Sequence, residues 1–382
     1  MNLYAVLGLA NRQTHLIGYI GNNMGPQSTG DLNRDEGALT AVIEFLSAFT
    51  LFLMILVAFM SLASLQMGPN DPGTDRLDST AVNALDRLLA DEGQFIPYQG
   101  AELDYNNSTS EWHTLSGEEI NEGRVLPGLL STTGEIDIDR VTALRNVTET
   151  GILEGLAIPE GMNLHLTITV IESNDENRTN LEIFSGGTPR LSASSSTFSM
   201  RMVKSGDELV RVLLEIHNGG KKNPVLEIHE VSPRGVNGGP EWFELYNPSD
   251  FAEELSGWSF ESEKNSVTKS VLLTEGVMTG GSYAVFTGDP NGQDSGNASE
   301  VIDLGSLGFL GVGAIDGLAD GTGSLKMYHT QQETNQPSRI QTVQWGGDTG
   351  LNIGFGESLV WDGNSSYQSS SWTVVDSPTP GN

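Results

Sequence analysis

The sequence predicts an N-terminal transmembrane helix, then a small α+β domain, then an all-β sandwich. Three observations carry this: an unbroken apolar run from Ala38 to Met67, clean period-2 alternation in two later segments, and a change of character beyond residue 224. There the chain becomes short β-rich stretches cut by Gly, Asn, Asp and Pro. The boundaries that follow are 1–37 for a leader, 38–67 for the membrane helix, 68–217 for the α+β domain, 218–224 for a linker and 225–382 for the sandwich.

Between Phe45 and Leu65 there is no charged residue, proline or glycine, which meets the ~18 to 20 residues a helix needs to cross the hydrocarbon core. At about 1.5 Å per residue the full run is about 45 Å long against a core of roughly 30 Å, so the helix tilts or one end projects. Its single charge, Glu44, lies near the front. There the carboxylate can reach the interface at modest cost, or serve as a contact to a neighbouring subunit.

The chain has 382 residues and a formal net charge of −31. Up to residue 67, Arg12 and Arg34 stand against Asp31, Asp35, Glu36 and Glu44, so nearly all the excess acid lies after the helix. Such a surface repels phosphate backbones and argues against nucleic acid as a partner. It also suits solubility in high salt. With no cysteine, disulfides, zinc-thiolate sites and thiol nucleophiles are excluded, and stability must come from packed cores. Asn-X-Ser/Thr sequons at Asn106, Asn107, Asn146, Asn177, Asn297 and Asn364, all beyond the helix, are possible glycosylation positions.

Residues 1–37 lack the basic start and long apolar core of a secretory signal peptide. The junction Arg34-Asp35-Glu36-Gly37 followed by Ala38 and an apolar helix resembles the class III signal of archaeal type IV pilins and pilin-like proteins. The resemblance implies cleavage after Gly37, leaving Ala38 as the new amino terminus. In that family the acidic residue is the fifth of the mature chain and pairs with a neighbouring subunit's amino terminus; here Glu44 would be the seventh. An uncut signal anchor is the alternative.

Pro69, Asn70, Asp71, Pro72 and Gly73 then break the helix. From Asp75 to Glu92, Leu77, Ala81, Leu85 and Leu88 predict an amphipathic helix that packs on the following domain and ends at Gly93. Gln94–Thr133 reads as loop-rich, and Ile136–Leu156 as short helical segments. In Asn163–Ile171 the residues Leu164, Leu166, Ile168 and Val170 alternate with His165, Thr167 and Thr169, and in Leu209–Ile216 the residues Val210, Val212, Leu214 and Ile216 alternate with polar positions. Phe198, Met200 and Met202 supply a third strand. An antiparallel sheet packed on one or two helices is expected, the layout of a pilin stem.

Past the linker Asn218–Pro224, five of the six tryptophans occur from Trp242 onward. Four stretches follow in order: Val225–Val231 with Glu230, then Glu241-Trp242-Phe243-Glu244-Leu245-Tyr246-Asn247-Pro248, then Leu255-Ser256-Gly257-Trp258-Ser259-Phe260, then Gly281–Phe286. With the ending Ser377–Asn382, they are similar to the lamin-tail domain. That resemblance implies an immunoglobulin-like sandwich used for adhesion or docking. Phe243 and Leu245 should face the core while Trp242, Glu244 and Tyr246 share the opposite face, with Asn247-Pro248 opening the turn. Asp289–Gly323 is longer than the family needs and reads as an inserted loop or extra hairpin.

No catalytic arrangement stands out. His15, His113, His165, His217, His229 and His329 show no metal-ligand spacing, and neither a nucleophile elbow nor a phosphate loop occurs. No cofactor is expected. Calcium is possible at Asp289, Asn291 and Asp294, or at Asp316 and Asp320, but without a twelve-residue loop of the required pattern. The expectation is a non-enzymatic cell-surface protein with its C-terminal domains outside: a pilin-like minor or tip subunit. Its partners would be the lipid bilayer, other pilin-like subunits through the apolar helix, and an extracellular ligand met by Trp- and Gly-rich loops. A monomeric anchored module binding polysaccharide, envelope or protein is the alternative.

Overall fold

The computed structural model describes residues 32–66, 72–191, 193–219, 225–264, 266–312, 317–331, 336–364 and 368–382. Residues 1–31 of the expected leader, most of the expected linker, and Asp316 lie outside them. The chain divides into two compact units, Met1–Asn70 and Asp71–Asn382.

The first unit is built on α1, Leu32–Gln66. It begins six residues before the expected Ala38, so Gly37 and Ala38 fall inside its second turn. The segment Leu39–Ser61, 23 residues, is long and apolar enough to cross a membrane, and none of it is buried within the fold. Its few polar side chains turn back on the helix: Ser47 Oγ donates to the Ile43 carbonyl at 2.7 Å, and Thr50 Oγ1 to that of Leu46 at 2.6 Å. With these hydroxyls satisfied, Glu44 is the one charged side chain on the otherwise apolar surface of this segment.

The second unit opens with α2, Pro72–Leu88, and Leu77, Ala81, Leu85 and Leu88 are all buried, as their spacing predicts. The stretch expected to be loop-rich instead holds β1 (Gly93–Gln99), β2 (Glu102–Leu103), α3 (Gly117–Asn121) and β3 (Gly123–Pro127), with strand order β2-β1-β3. Pro97 inside β1 and glycines at the strand starts disguise them in the sequence. The helices α4 (Ile138–Ala143) and α5 (Glu149–Gly155) follow, capped by Asp137 and Thr148 side chains.

A four-stranded antiparallel sheet then forms in the order β5-β4-β7-β6, from β4 (Met162–Glu172), β5 (Glu182–Gly187), β6 (Ser195–Ser205) and β7 (Glu208–Asn218). The alternating Leu164, Leu166, Ile168, Val170 and Val210, Val212, Leu214, Ile216 are fully buried in one core with α2. The strand expected at Phe198, Met200 and Met202 is β6. Phe198, Met200 and Met202 face solvent, because Thr197 and Arg201 turn toward α2 to meet Asp78 and Asp86.

The remainder is a two-sheet β structure around a second core. Its strands are β8 (Glu227–Ser232), β9 (Trp242–Tyr246), β10 (Glu253–Glu254), β11 (Trp258–Lys264), β12 (Val267–Leu272) and β13 (Val277–Met278). The chain continues with β14 (Tyr283–Thr287), β15 (Glu300–Asp303), β16 (Gly323–Gln331), β17 (Gln336–Trp345), β18 (Ser358–Trp361) and β19 (Trp372–Val375). One sheet runs β15-β14-β9-β8-β18-β19, the other β12-β11-β16-β17, and β10 pairs with β13. Within Asp289–Gly323 the chain adds β15 as a parallel edge strand beside β14 rather than a hairpin. Trp258, Trp345 and Trp372 belong to this core, Trp242 is buried outside it and Trp361 is half-buried on β18.

The two β-rich parts of this unit share a seam. Phe251, carried by the loop after β9, is 2% exposed and belongs to the core of the first domain. Its ring meets Phe184 edge-on at 5.0 Å. Gly186 makes room: a Cβ there would lie 2.7 Å from the Phe251 ring. Around this plug, Ala252 N–H donates to the Val147 carbonyl (3.1 Å), Gly280 N–H to that of Arg145 (2.8 Å), and Arg145 pairs with Asp250 at 2.9 Å.

Candidate functional site

Of the stretches that carry the lamin-tail resemblance, those around Glu230, Trp242–Tyr246 and Tyr283–Phe286 lie on the six-stranded sheet, while Trp258–Phe260 lie on the four-stranded one. Asn247 ends β9 and is fully buried. Its Nδ2 donates to the carbonyls of Phe251 (3.0 Å), Met278 (3.2 Å) and Thr279 (3.3 Å), while Oδ1 accepts from Ser249 N–H at 3.0 Å. One amide thus shapes the loop, begun by exposed Pro248, that delivers Asp250 and Phe251 to the other domain. The turn Leu255-Ser256-Gly257-Trp258 buries Leu255 and Trp258 and leaves Ser256 exposed. Gly257 takes a φ of +87°, a conformation that suits glycine.

Glu230 on β8 and Glu244 on β9 stand directly opposite each other in register, and both are wholly buried. Two like charges in this position destabilise unless donors surround them. The final residues of the sequence supply those donors. Thr379 N–H (3.2 Å) and its hydroxyl (3.3 Å) donate to Glu230, Gly381 N–H donates to Glu244, and Ser358 Oγ donates to Glu230. His229 Nδ1 lies 3.0 Å from Glu244 Oε1. Burial pushes the Glu230 carboxyl up, Ser358 and Thr379 oppose that, and Glu244 adds to it. The face of β9 opposite the core is therefore largely covered: Trp242 and Glu244 are buried, and half-buried Tyr246 lies tilted against Tyr283 with ring centroids 4.7 Å apart.

Glu241 makes a third fastening. Its Oε2 accepts from Gly311 N–H (3.0 Å) and Leu318 N–H (2.8 Å), whereas its buried Oε1 has no protein partner. Gly317, at φ +114°, lies so close that a Cβ would sit 1.6 Å from Oε2. Burial raises the Glu241 carboxyl to about 7, against the opposing pull of the two N–H groups and of Lys264, with Asp320 reinforcing the rise. None of this acidic set was legible as interior from the sequence, because no pattern marks a glutamate whose partners lie 70 or more residues away.

Among the described residues no group of three or more His, Asp or Glu is placed to hold a metal ion. Asp289 and Asp294, considered for calcium, accept from the N–H groups of Asn291 and Gly296 and so shape their own turns. Asn106, Asn107, Asn177, Asn297 and Asn364 are exposed. Asn146 is half-buried, with Nδ2 donating to the Leu115 carbonyl at 3.2 Å. On α1, Glu44 is exposed. Comparison with protein-family models and with characterised proteins finds no match for this chain.

Proposed function

We propose that this protein is a non-enzymatic, membrane-anchored cell-surface component: a pilin-like filament subunit, minor or terminal, that displays a lamin-tail-like sandwich outside the cell. The observation that carries the reading is α1, whose 23-residue apolar stretch Leu39–Ser61 finds no burial within the fold. Such a surface is stable in lipid or against other apolar helices, and unstable in water. Glu44 near its front supports a subunit contact, since a carboxylate in a sheath of apolar helices calls for a cationic partner such as a new amino terminus. The acidic body beyond supports display in a salt-rich exterior. The resemblance at Gly37-Ala38 supplies the processing step, and the fastened carboxylates favour scaffold over chemistry.

Mass spectrometry of the mature amino terminus tests this: a chain beginning at Ala38 supports pilin-type processing. An intact leader on all copies, with filaments unchanged by electron microscopy in cells lacking the protein, refutes filament membership. A second reading, an uncut anchor carrying a monomeric binding module, draws on a cleft at the open edge of the sandwich.

A further inference from the structure

We infer that this sandwich carries a subsite for an uncharged sugar unit, formed where the edge strand of the four-stranded sheet meets the 3-10 turn before the edge strand of the other. The inference rests on the role of the sandwich as a displayed binding module, common to both readings above. A β-bulge creates one wall. The register between β16 and β17 shifts after Met327, so Arg339 rather than Ile340 stands opposite Tyr328. That slip brings Arg339 into phase with Thr342 and Gln344, which a regular strand would have denied it. The facing wall is the 3-10 turn Ser369–Ser371 with Gln368 before it, and Trp372 at the start of β19 completes the lining. Trp372 is itself held by Trp361 across the strand pair, with ring centroids 6.4 Å apart.

The cleft has a volume of ≈ 210 Å³, room for one pyranose ring rather than a larger cofactor. Its chemistry is unusual for this chain. Although the sequence holds 50 Asp and Glu, the described residues lining the cleft include no carboxylate. They offer instead two side-chain amides, which both donate and accept, together with hydroxyls, a guanidinium and an indole. The Thr342 hydroxyl and the Trp372 indole N–H, both buried, have no protein hydrogen-bond partner. Amides and hydroxyls around a cleft closed by the buried Trp372 indole match a ring that presents hydroxyls at its rim. With no carboxylate pair among its described lining residues, the cleft offers no acid and base for glycosidic cleavage and is assigned to holding the sugar. The net charge of −31 disfavours polyanionic glycans, which selects the uncharged class.

The test is saturation-transfer NMR on the full chain in a sugar-free detergent, with N-acetylglucosamine and galacturonate as probes. Transfer from the protein to N-acetylglucosamine is expected. The Gln344→Ala and Gln368→Ala variants should each weaken it by roughly tenfold in affinity, the loss of about one hydrogen bond. Both side chains are exposed, so both variants should keep the wild-type melting temperature. No transfer to N-acetylglucosamine, transfer unchanged in both variants, or transfer to galacturonate alone would each overturn the assignment. None of these results bears on where the amino terminus is cut, so the subsite and the filament proposal fail separately.

Discussion

Replacing Phe251 by alanine tests how the two β-rich parts are joined. The side chain is 2% exposed, is carried by the sandwich and packs in the core of the other domain. Truncating a buried phenylalanine costs about 3 to 5 kcal/mol, which includes about 0.5 to 1.5 kcal/mol for the edge-on contact with Phe184. The other seam contacts are weaker. The Arg145–Asp250 pair is partly exposed, with Arg145 40% accessible, and so contributes about 1 kcal/mol or less. The two backbone bonds contribute about 1 kcal/mol each. Ser185 N–H adds a bond to the Asp250 carboxylate at 2.5 Å. Phe251 is therefore the largest single contribution to the seam, and the wild-type body should unfold in one transition. Urea titration of the full chain in detergent, followed by tryptophan fluorescence, should show Phe251→Ala losing about 3 to 5 kcal/mol. The single transition should split into two, since only the weaker polar contacts of the seam and the linker would then couple the halves. A loss under about 1 kcal/mol with one transition retained would refute the idea that this ring is the main bond between the domains.

Further outcomes follow from the buried carboxylates and the seam. A Glu241 carboxyl raised to about 7 from its usual 4.5 holds a proton in the native state that the unfolded chain releases. Stability from this group is therefore greatest at low pH, falls as pH rises from about 4.5 to about 7, and then levels off, a loss of about 3 kcal/mol. Denaturation across that window should show Glu241→Gln lacking this part of the slope, and equal slopes would exclude Glu241 as its source. Deleting residues 379–382 strips donors from Glu230 and Glu244 and should cost about 3 kcal/mol or more near neutral pH. The melting temperature should recover partly on acidification, which an effect of lost packing alone would not show. Asn247→Ala removes a buried amide that makes four hydrogen bonds and should destabilise by about 2 to 4 kcal/mol in the same urea titration. Peptide mapping of protein purified from its source cells should find Asn146 without glycan, because its amide is already engaged.

Much of the fold was legible where burial follows a local period. The leucines of α2 and the alternating strands β4 and β7 bury the residues their spacing selects, since one face of each element meets the core and the other meets water. On β6 the alternation located the strand but not its buried face, since Phe198, Met200 and Met202 are apolar yet exposed. The period failed in β1 and β3, which are short and interrupted by proline and glycine. In the sandwich, Phe243 and Leu245 were readable as core. The fate of Glu244 on the other face depended on residues at the far end of the sequence.

By itself the sequence determined that one helix carries an unbroken apolar run with a single charge near its front, that the remainder is strongly acidic and free of cysteine, and that strands dominate after residue 160. These are properties of composition and local periodicity, and they need no knowledge of what lies across a sheet. Only the tertiary structure decided that Glu230, Glu241 and Glu244 are interior fastenings, that Phe251 seals one domain to the next, and that a bulge turns Arg339 toward Gln344. Each depends on contacts between segments distant in the chain, and a buried charge or a slipped register leaves no periodic trace in the residues around it.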